Sequence, residues 1–301
     1  MLSRHRGRFP YLALITALAA AGCSSSEEPG RAPAAPDVRP LSGATAVSHL
    51  DSVRLHDRTE RAVTACMTAR GQEYTAQPAN SSARGAETNP YGLLTPQRAA
   101  ADGYGIVGEY LHLRSTPPPA EKPRSKAWQE ALTGTPERRV TLRLPGGTKA
   151  QYSADGCIAR ANADVYGPKW NTLEPLTMKL ANRVLATVEE DPAYRGALRR
   201  WSACMTKSGH PAADLQAARA SLNSRLPAAA KDEERLRALG RDEIEAAKAD
   251  ARCQTETALA ETVAGVQRKV ERKLLTAEDR KTIAGYRQAK ERALHDAGRV
   301  R

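Results

Sequence analysis

The sequence is poor in aromatic residues and in the short signatures of known enzyme classes. Phe occurs once, at Phe9, and Phe, Trp and Tyr together make up only 4% of the chain. The core must therefore be built from Leu, Val, Ala and Met with a few Tyr and Trp. The chain has no Gly-x-Ser-x-Gly, no His-Glu-x-x-His and no Ser-x-x-Lys. It thus lacks the usual marks of serine hydrolases, zinc proteases and penicillin-recognising enzymes.

Residues 1–22 carry the features of a signal peptide. Three arginines give a positive n-region, and the apolar run over 11–18 is too short to span a bilayer. Ala20-Ala21-Gly22 then precede Cys23, a pattern that resembles the lipobox of bacterial lipoproteins. The resemblance implies cleavage before Cys23 and lipidation of its thiol. We expect a protein held at the outer face of the cytoplasmic membrane; a plain secretory signal with an incidental cysteine is the alternative.

Residues 23–44 are rich in Ser, Pro and Ala and show no apolar periodicity, which indicates a tether. The formal net charge of the chain is +12. A basic exported protein meets anionic lipids and cell-wall polymers before it meets nucleic acid. We therefore expect the membrane as a partner through the lipid anchor, and anionic lipid, a cell-wall polymer or an envelope protein as further partners. A solvated basic surface without a specific partner is the alternative.

Apolar residues recur at helical spacing through most of 45–301, which predicts a mainly α domain. A first helix runs from about Val47 to Arg70, and short helices begin after Thr95 and Ser125, each a good N-cap. A very long C-terminal helix is expected from Asp242, with a kink or restart at Thr276. The one β signal covers 139–152, where alternating residues flank a Pro-Gly-Gly turn.

An internal repeat suggests how the remaining cysteines pair. The motif Cys-Met-Thr-x-x-Gly begins at Cys66 and again at Cys204, and each copy precedes an Ala-Asp sequence just before a later cysteine, Cys157 or Cys253. An even number of cysteines in an exported protein favours disulfides. Of the three possible pairings, we expect Cys66–Cys157 and Cys204–Cys253. The domain would then consist of two similar units, about 45–167 and 168–301.

Several of these motifs resemble a group of lipoproteins from high-GC Gram-positive bacteria. The matching segments are Tyr91-Gly-Leu-Leu-Thr-Pro-Gln-Arg-Ala-Ala-Ala-Asp-Gly-Tyr104, Asp155-Gly-Cys157, Arg200-Trp-Ser-Ala-Cys-Met205 with Gly209, and Glu243-Ile-Glu-Ala-Ala-Lys-Ala-Asp-Ala-Arg-Cys253. The resemblance covers most of the mature chain and implies an exported, lipid-anchored protein. It carries no catalytic residues. One departure is His210-Pro211, where the group often has an aromatic residue.

No set of residues in the sequence predicts a catalytic or metal site. Lys207-Ser208-Gly209 is better explained as a helix end, Glu189-Glu190-Asp191 as an interhelical turn with a capping Asp, and Gly146-Gly147 as a hairpin turn. No Cys-x-x-Cys pair is present and the six histidines are scattered, so we expect no metal or other cofactor.

The last segment, 266–301, is strongly basic, which is compatible either with a solvated helix face or with binding to an anionic surface. The leading hypothesis is a non-enzymatic envelope binding module. An envelope enzyme, hydrolase-like, with a site assembled only in the fold is the main alternative. A solute-binding lipoprotein ranks below both, because it needs two lobes with many strands.

Overall fold

The computed structural model describes residues 38–79, 89–115 and 124–299. The predicted signal peptide, Cys23 and residues 24–37 of the predicted tether lie outside the described residues. Every described residue belongs to one compact unit. Within these ranges, no helix combines the length and apolarity needed to span a bilayer.

Residues 38–44, which the sequence assigned to the tether, pack into the fold. A 3-10 turn, Pro40–Gly43, buries Leu41 at 3% exposure, and Leu41 and Ser42 adopt left-handed backbone angles. The first helix, α1, spans His49–Ala69, as expected from its apolar spacing. The N–H of Asp51 donates to the Ser48 hydroxyl and so caps the start of this helix.

Two short helices follow, of which only the first was expected. Helix α2 spans Pro96–Asp102, and the Thr95 hydroxyl caps it as predicted. Helix α3 spans Ile106–Ser115 and was not predicted. Its first N–H groups, on Ile106 and Val107, donate to the carboxylate of Glu243 at 2.7 and 3.0 Å. Because this cap comes from a residue far along the chain, the local sequence carries no signal for it.

The expected hairpin forms between two further groups of helices. Helix α4 spans Lys126–Thr133, and the Ser125 hydroxyl caps it. Strands β1, Arg139–Arg143, and β2, Lys149–Ser153, then pair antiparallel. The helices that follow are α5 at Cys157–Tyr166, α6 at Trp170–Glu190, α7 at Pro192–Lys207, α8 at Leu215–Asn223 and α9 at Leu226–Ala229.

The predicted long C-terminal helix is three helices in the structure. They are α10 at Glu233–Glu256, α11 at Leu259–Leu274 and α12 at Ala277–Arg299. The first break falls at Ala258, whose φ of 51° is left-handed and was not expected. The second falls at Thr276, where Thr276 and Asp279 cap each other's N–H groups as a capping box. The sequence therefore predicted the second break but missed the first.

The two largest hydrophobic clusters each contain one disulfide, but they do not follow the predicted bounds of 45–167 and 168–301, because Tyr91 packs into the larger one. The larger one packs α6, α7 and α11 around fully buried side chains: Leu180, Val184, Val188, Trp201, Met205, Leu259 and Val263. The smaller one packs α1, α4 and α5, and its buried members are Val63, Met67, Ala131, Cys157 and Ala161. The cluster around Cys66–Cys157 is thus much smaller than the cluster around Cys204–Cys253.

Candidate functional site

Three aromatic rings stack where α5, α6 and α12 meet. Gly167, with a φ of 101°, ends α5 and turns the chain into α6, which places Tyr166 over Trp170. The ring centroids lie 3.9 Å apart, and the centroid of the Tyr286 ring, on α12, lies 4.8 Å from that of Trp170. Burial, then the negative charge of Glu174, raises the pKa of Tyr286 to about 12. Tyr166 and Trp170 of this stack line two depressions on the surface.

The larger depression, which we call the groove, has a volume of about 680 Å³ and lies between the start of α6 and α12. Its floor is apolar and includes Leu173, Leu176 and Ala289. Gly285 also lines the groove. A methyl group at this position would lie 3.4 Å from the side chain of Leu173. Gly285 thus leaves part of the groove free of a side chain.

The rim of the groove is basic. Lys169, Lys281 and Arg292 lie along it, and Glu278 is the one acidic residue beside them. Lys281 reaches Glu278 at 3.7 Å. Lys169 and Arg292 make no ion pair or side-chain hydrogen bond with any residue in the described part of the chain. Two of the three cations are thus available for an anionic ligand.

The smaller depression, of about 310 Å³, is lined by all three rings of the aromatic stack, and we call it the cavity. Partial burial raises the pKa of its only lining carboxyl group, on Glu174. Burial, and then the positive charge of Arg287, lowers the pKa of Lys290. The Lys290 ammonium also donates to the carbonyl oxygens of Ala44 and Ala46. Lys290 therefore serves to hold the N-terminal segment in place.

The disulfides lie where the repeat placed them. Cys66 is joined to Cys157 and Cys204 to Cys253, and both pairs have Cα atoms 5.6 Å apart. The carboxylate of Glu256 lies near the second disulfide, 3.4 Å from the sulfur of Cys204. Both sulfurs are already bonded to each other, so this group offers a metal ion a single carboxylate.

The other candidates from the sequence have structural roles. Ser208 lies at the end of α7, where its hydroxyl donates to the Cys204 carbonyl oxygen at 3.0 Å. Asp191 caps the start of α7 by accepting from the Ala193 N–H at 2.8 Å. Gly146 and Gly147 have positive φ angles and form the hairpin turn. Of the histidines, His5 lies outside the described residues, and none of the others joins the one group of clustered metal-ligating atoms in the described ranges.

The sequence did not reveal the groove. The aromatic residues were expected only as core, and the one local signal available was the Gly-Pro pair at 167–168, which is typical of a turn. Tyr286 and Arg292 reach the same place from α12, over a hundred residues later. Comparison with known proteins adds no assignment, since no family model, curated protein or solved structure matches this chain.

Proposed function

We propose that this protein is a lipid-anchored, non-enzymatic module of the cell envelope that binds an anionic polymer in the groove. The anchor is the proposed lipid on Cys23, in keeping with the resemblance to lipoproteins of high-GC Gram-positive bacteria. The two disulfides indicate an oxidising compartment outside the cytoplasm. The single observation that carries the binding proposal is the basic rim around an apolar floor.

The groove suits a polymer with negative charges spaced along apolar or ring-shaped units. Exposed cations stand on two different elements, Lys169 at the start of α6 and Lys281 and Arg292 on α12. A chain lying between them would meet positive charge on both sides and the side chains of Leu173 and Leu176 below. Phosphate-bearing and uronic-acid polysaccharides of the cell wall have this chemistry.

The test is retention of the mature chain on cell-wall sacculi with and without their anionic polymers. We expect retention only on the intact sacculi, and we expect K169Q/K281Q/R292Q to weaken it by about tenfold. Gly285→Leu fills the groove without changing charge and should weaken retention as well.

The matched control is R199Q/R200Q/K207Q, which removes three exposed charges from α7. This variant should bind like the parent protein. Equal loss in both triple variants would show that net charge alone causes retention, and equal retention on stripped sacculi would contradict an anionic ligand.

The alternative of an envelope hydrolase rests on Glu174, because a carboxyl group with a raised pKa in a cavity can act as a general acid. A hydrolase also needs a nucleophile or a second acid–base group within reach. His56, which lines the same cavity, already contacts the Gln77 carbonyl oxygen at 2.7 Å. If the protein degraded sacculi and Glu174→Gln abolished that activity, the enzyme function would replace the binding function.

A further inference from the structure

The N-terminal segment joins the fold on the second half of α11. Val38 is buried in the large core, and the side-chain amide of Gln267 donates to the Arg39 carbonyl oxygen at 2.9 Å. The carboxylate of Glu271 accepts from the N–H of Leu41 at 2.8 Å. These contacts fix the place where any chain leading back to the membrane must leave the domain.

The same two turns of α11 carry four exposed cations on their outer side. We call this set the basic corner: Arg268, Lys269, Arg272 and Lys273. The pairs 268/272 and 269/273 are four residues apart, so all four side chains lie on neighbouring rows of one helix face. Lys269 contacts Asp191 at 3.3 Å. The other three have no ion pair or side-chain hydrogen bond with the described residues.

No acidic side chain from the same stretch of α11 neutralises the basic corner. Glu271 is the only acidic residue between Gln267 and Lys273, and its carboxylate faces inward. It accepts from Leu41 N and from the side-chain amide of Gln267. The division of α11 into an inner face that holds the N-terminal segment and an outer face of cations leaves the positive charge directed at solvent.

The length of the preceding chain keeps the corner close to the bilayer. Fourteen residues, 24–37, separate the proposed lipidated Cys23 from Val38. A segment of that length spans at most about 50 Å even when fully extended. A lipid anchor would thus present the corner to the headgroups at high effective concentration.

We propose that the basic corner docks on anionic phospholipid headgroups and sets the orientation of the anchored domain. The proposal rests on the lipid anchor of the proposed function, but it concerns a different surface from the groove. Charge complementarity selects the lipid class: phosphatidylglycerol and other anionic lipids attract such a cluster, whereas phosphatidylcholine does not.

The experiment measures binding of the mature chain with Cys23→Ser, which lacks the lipid, to vesicles by sedimentation. We expect binding to vesicles containing phosphatidylglycerol, little binding to phosphatidylcholine alone, and loss of binding at high salt. The corner variant R268Q/K269Q/R272Q/K273Q should bind the anionic vesicles about tenfold more weakly or worse.

The control variant R235Q/R237Q/R241Q/K248Q removes the same charge from exposed residues of α10 and should bind within about twofold of the parent. Equal weakening of both variants, or equal binding to the two kinds of vesicle, would overturn the proposal. So would a corner variant that still binds vesicles but no longer binds sacculi, since the corner would then dock on polymer. Because this assay uses unlipidated protein, its failure is separate from a failure to find lipid on Cys23 or polymer in the groove.

Discussion

In each of the two disulfide-linked units of this protein, the helix that carries the first cysteine ends in the same way, but the two helices are buried differently. In both, the N–H of the residue after glycine bonds back to the methionine carbonyl oxygen, and the glycine N–H bonds to the threonine carbonyl oxygen. These bonds join Gln72 to Met67, Gly71 to Thr68, His210 to Met205 and Gly209 to Thr206. Each set is a Schellman motif, and each glycine has a positive φ angle.

The aspartates before the second cysteines show how far the units diverge. Asp155 is partly exposed and accepts from the N–H and the hydroxyl of Thr135 at 3.1 and 2.8 Å. Asp250 has no exposed surface. One of its carboxylate oxygens accepts from Trp201 Nε1 and from the Gln254 side chain, both at 2.8 Å. The same sequence motif thus serves a surface loop in one unit and a buried polar network in the other.

This difference shows that the repeat specifies where the helices end and where the cysteines lie. The packing around each copy determines how much it contributes to the free energy of unfolding. The methionines of both motifs are fully buried, Met67 in the small cluster and Met205 in the large one. Local hydrogen bonds can be repeated by a six-residue motif. Such a short motif does not determine the volume of the apolar side chains that pack around it, because those side chains come from other parts of the chain.

The largest effects should come from removing each disulfide with paired Cys→Ala substitutions. The sequence separations are 91 residues for Cys66–Cys157 and 49 for Cys204–Cys253. Loop entropy alone then gives a loss of about 4–5 kcal/mol for each, and about 0.5 kcal/mol more for the first. Guanidinium unfolding of the two variants measures both. A much larger loss for the second pair would show that packing around the disulfide, rather than the length of the loop it closes, determines the loss of stability.

The next largest effect should be Trp201→Ala, at about 3–5 kcal/mol of unfolding free energy. Trp201 has no exposed surface, and its removal leaves a cavity and takes a donor from Asp250. The matched residue in the first unit, three before its cysteine, is Val63, and Val63→Ala should cost clearly less. Trp201→Phe separates the two causes, because it keeps most of the volume but not the donor. Equal losses for Trp201→Ala and Val63→Ala would contradict the unequal cores.

A smaller effect should appear as opposite pH dependence in the two units. Burial raises the pKa of Asp250, against hydrogen bonds from Gln254 and Trp201. Burial also acts to raise the pKa of Asp155, but the hydrogen bonds from Thr135 outweigh it and lower that pKa below its usual value. Asp250 therefore lowers stability as the pH rises from its unfolded pKa of about 3.9 towards its raised folded value. Asp155 adds stability that is lost as the pH falls below about 3.9.

Urea unfolding of Asp250→Asn and Asp155→Asn across pH 3–7 tests these signs. Relative to the parent, the Asp250→Asn variant should gain stability as the pH rises, whereas the Asp155→Asn variant should lose it. Parallel slopes in the two variants would show that the aspartates have similar surroundings.

The smallest effect should be equal in both units. Gly71→Ala and Gly209→Ala force a side chain into the left-handed region, at φ angles of 68° and 80°. Neither added methyl would meet another atom within 4 Å. Each substitution should therefore cost about 1–2 kcal/mol, from backbone strain alone. Thermal unfolding of the two variants side by side checks this; a difference above about 1 kcal/mol would mean that the two Schellman motifs are not equivalent.

The features that the sequence revealed are those set within a few residues. The caps at Thr95, Ser125 and Thr276, the hairpin turn and the two glycine-ended helices all depend on neighbours in the chain. The disulfide pairing followed because the repeat marked which cysteines share a unit. These signals sufficed for a mainly helical fold with one hairpin.

The features that the sequence hid depend on distant partners. Helix α3 is capped by Glu243, and the segment at 38–44 is held by α11 and α12 rather than by its own pattern. The break at Ala258 has no glycine or proline to mark it. The groove is assembled from α6 and α12, so its basic rim could not be recognised before the fold placed those helices together.

The most direct test of the central claim is mass spectrometry of the N-terminal peptide from protein extracted from the membranes of producing cells. A lipid-anchored module should yield a mature chain that begins at Cys23 and carries a diacylglyceryl group on its sulfur. The Cys23→Ser variant should leave the membrane fraction or keep its signal peptide. An unmodified chain that begins at another residue would contradict the anchor, and with it the proposed placement of the basic corner at the membrane.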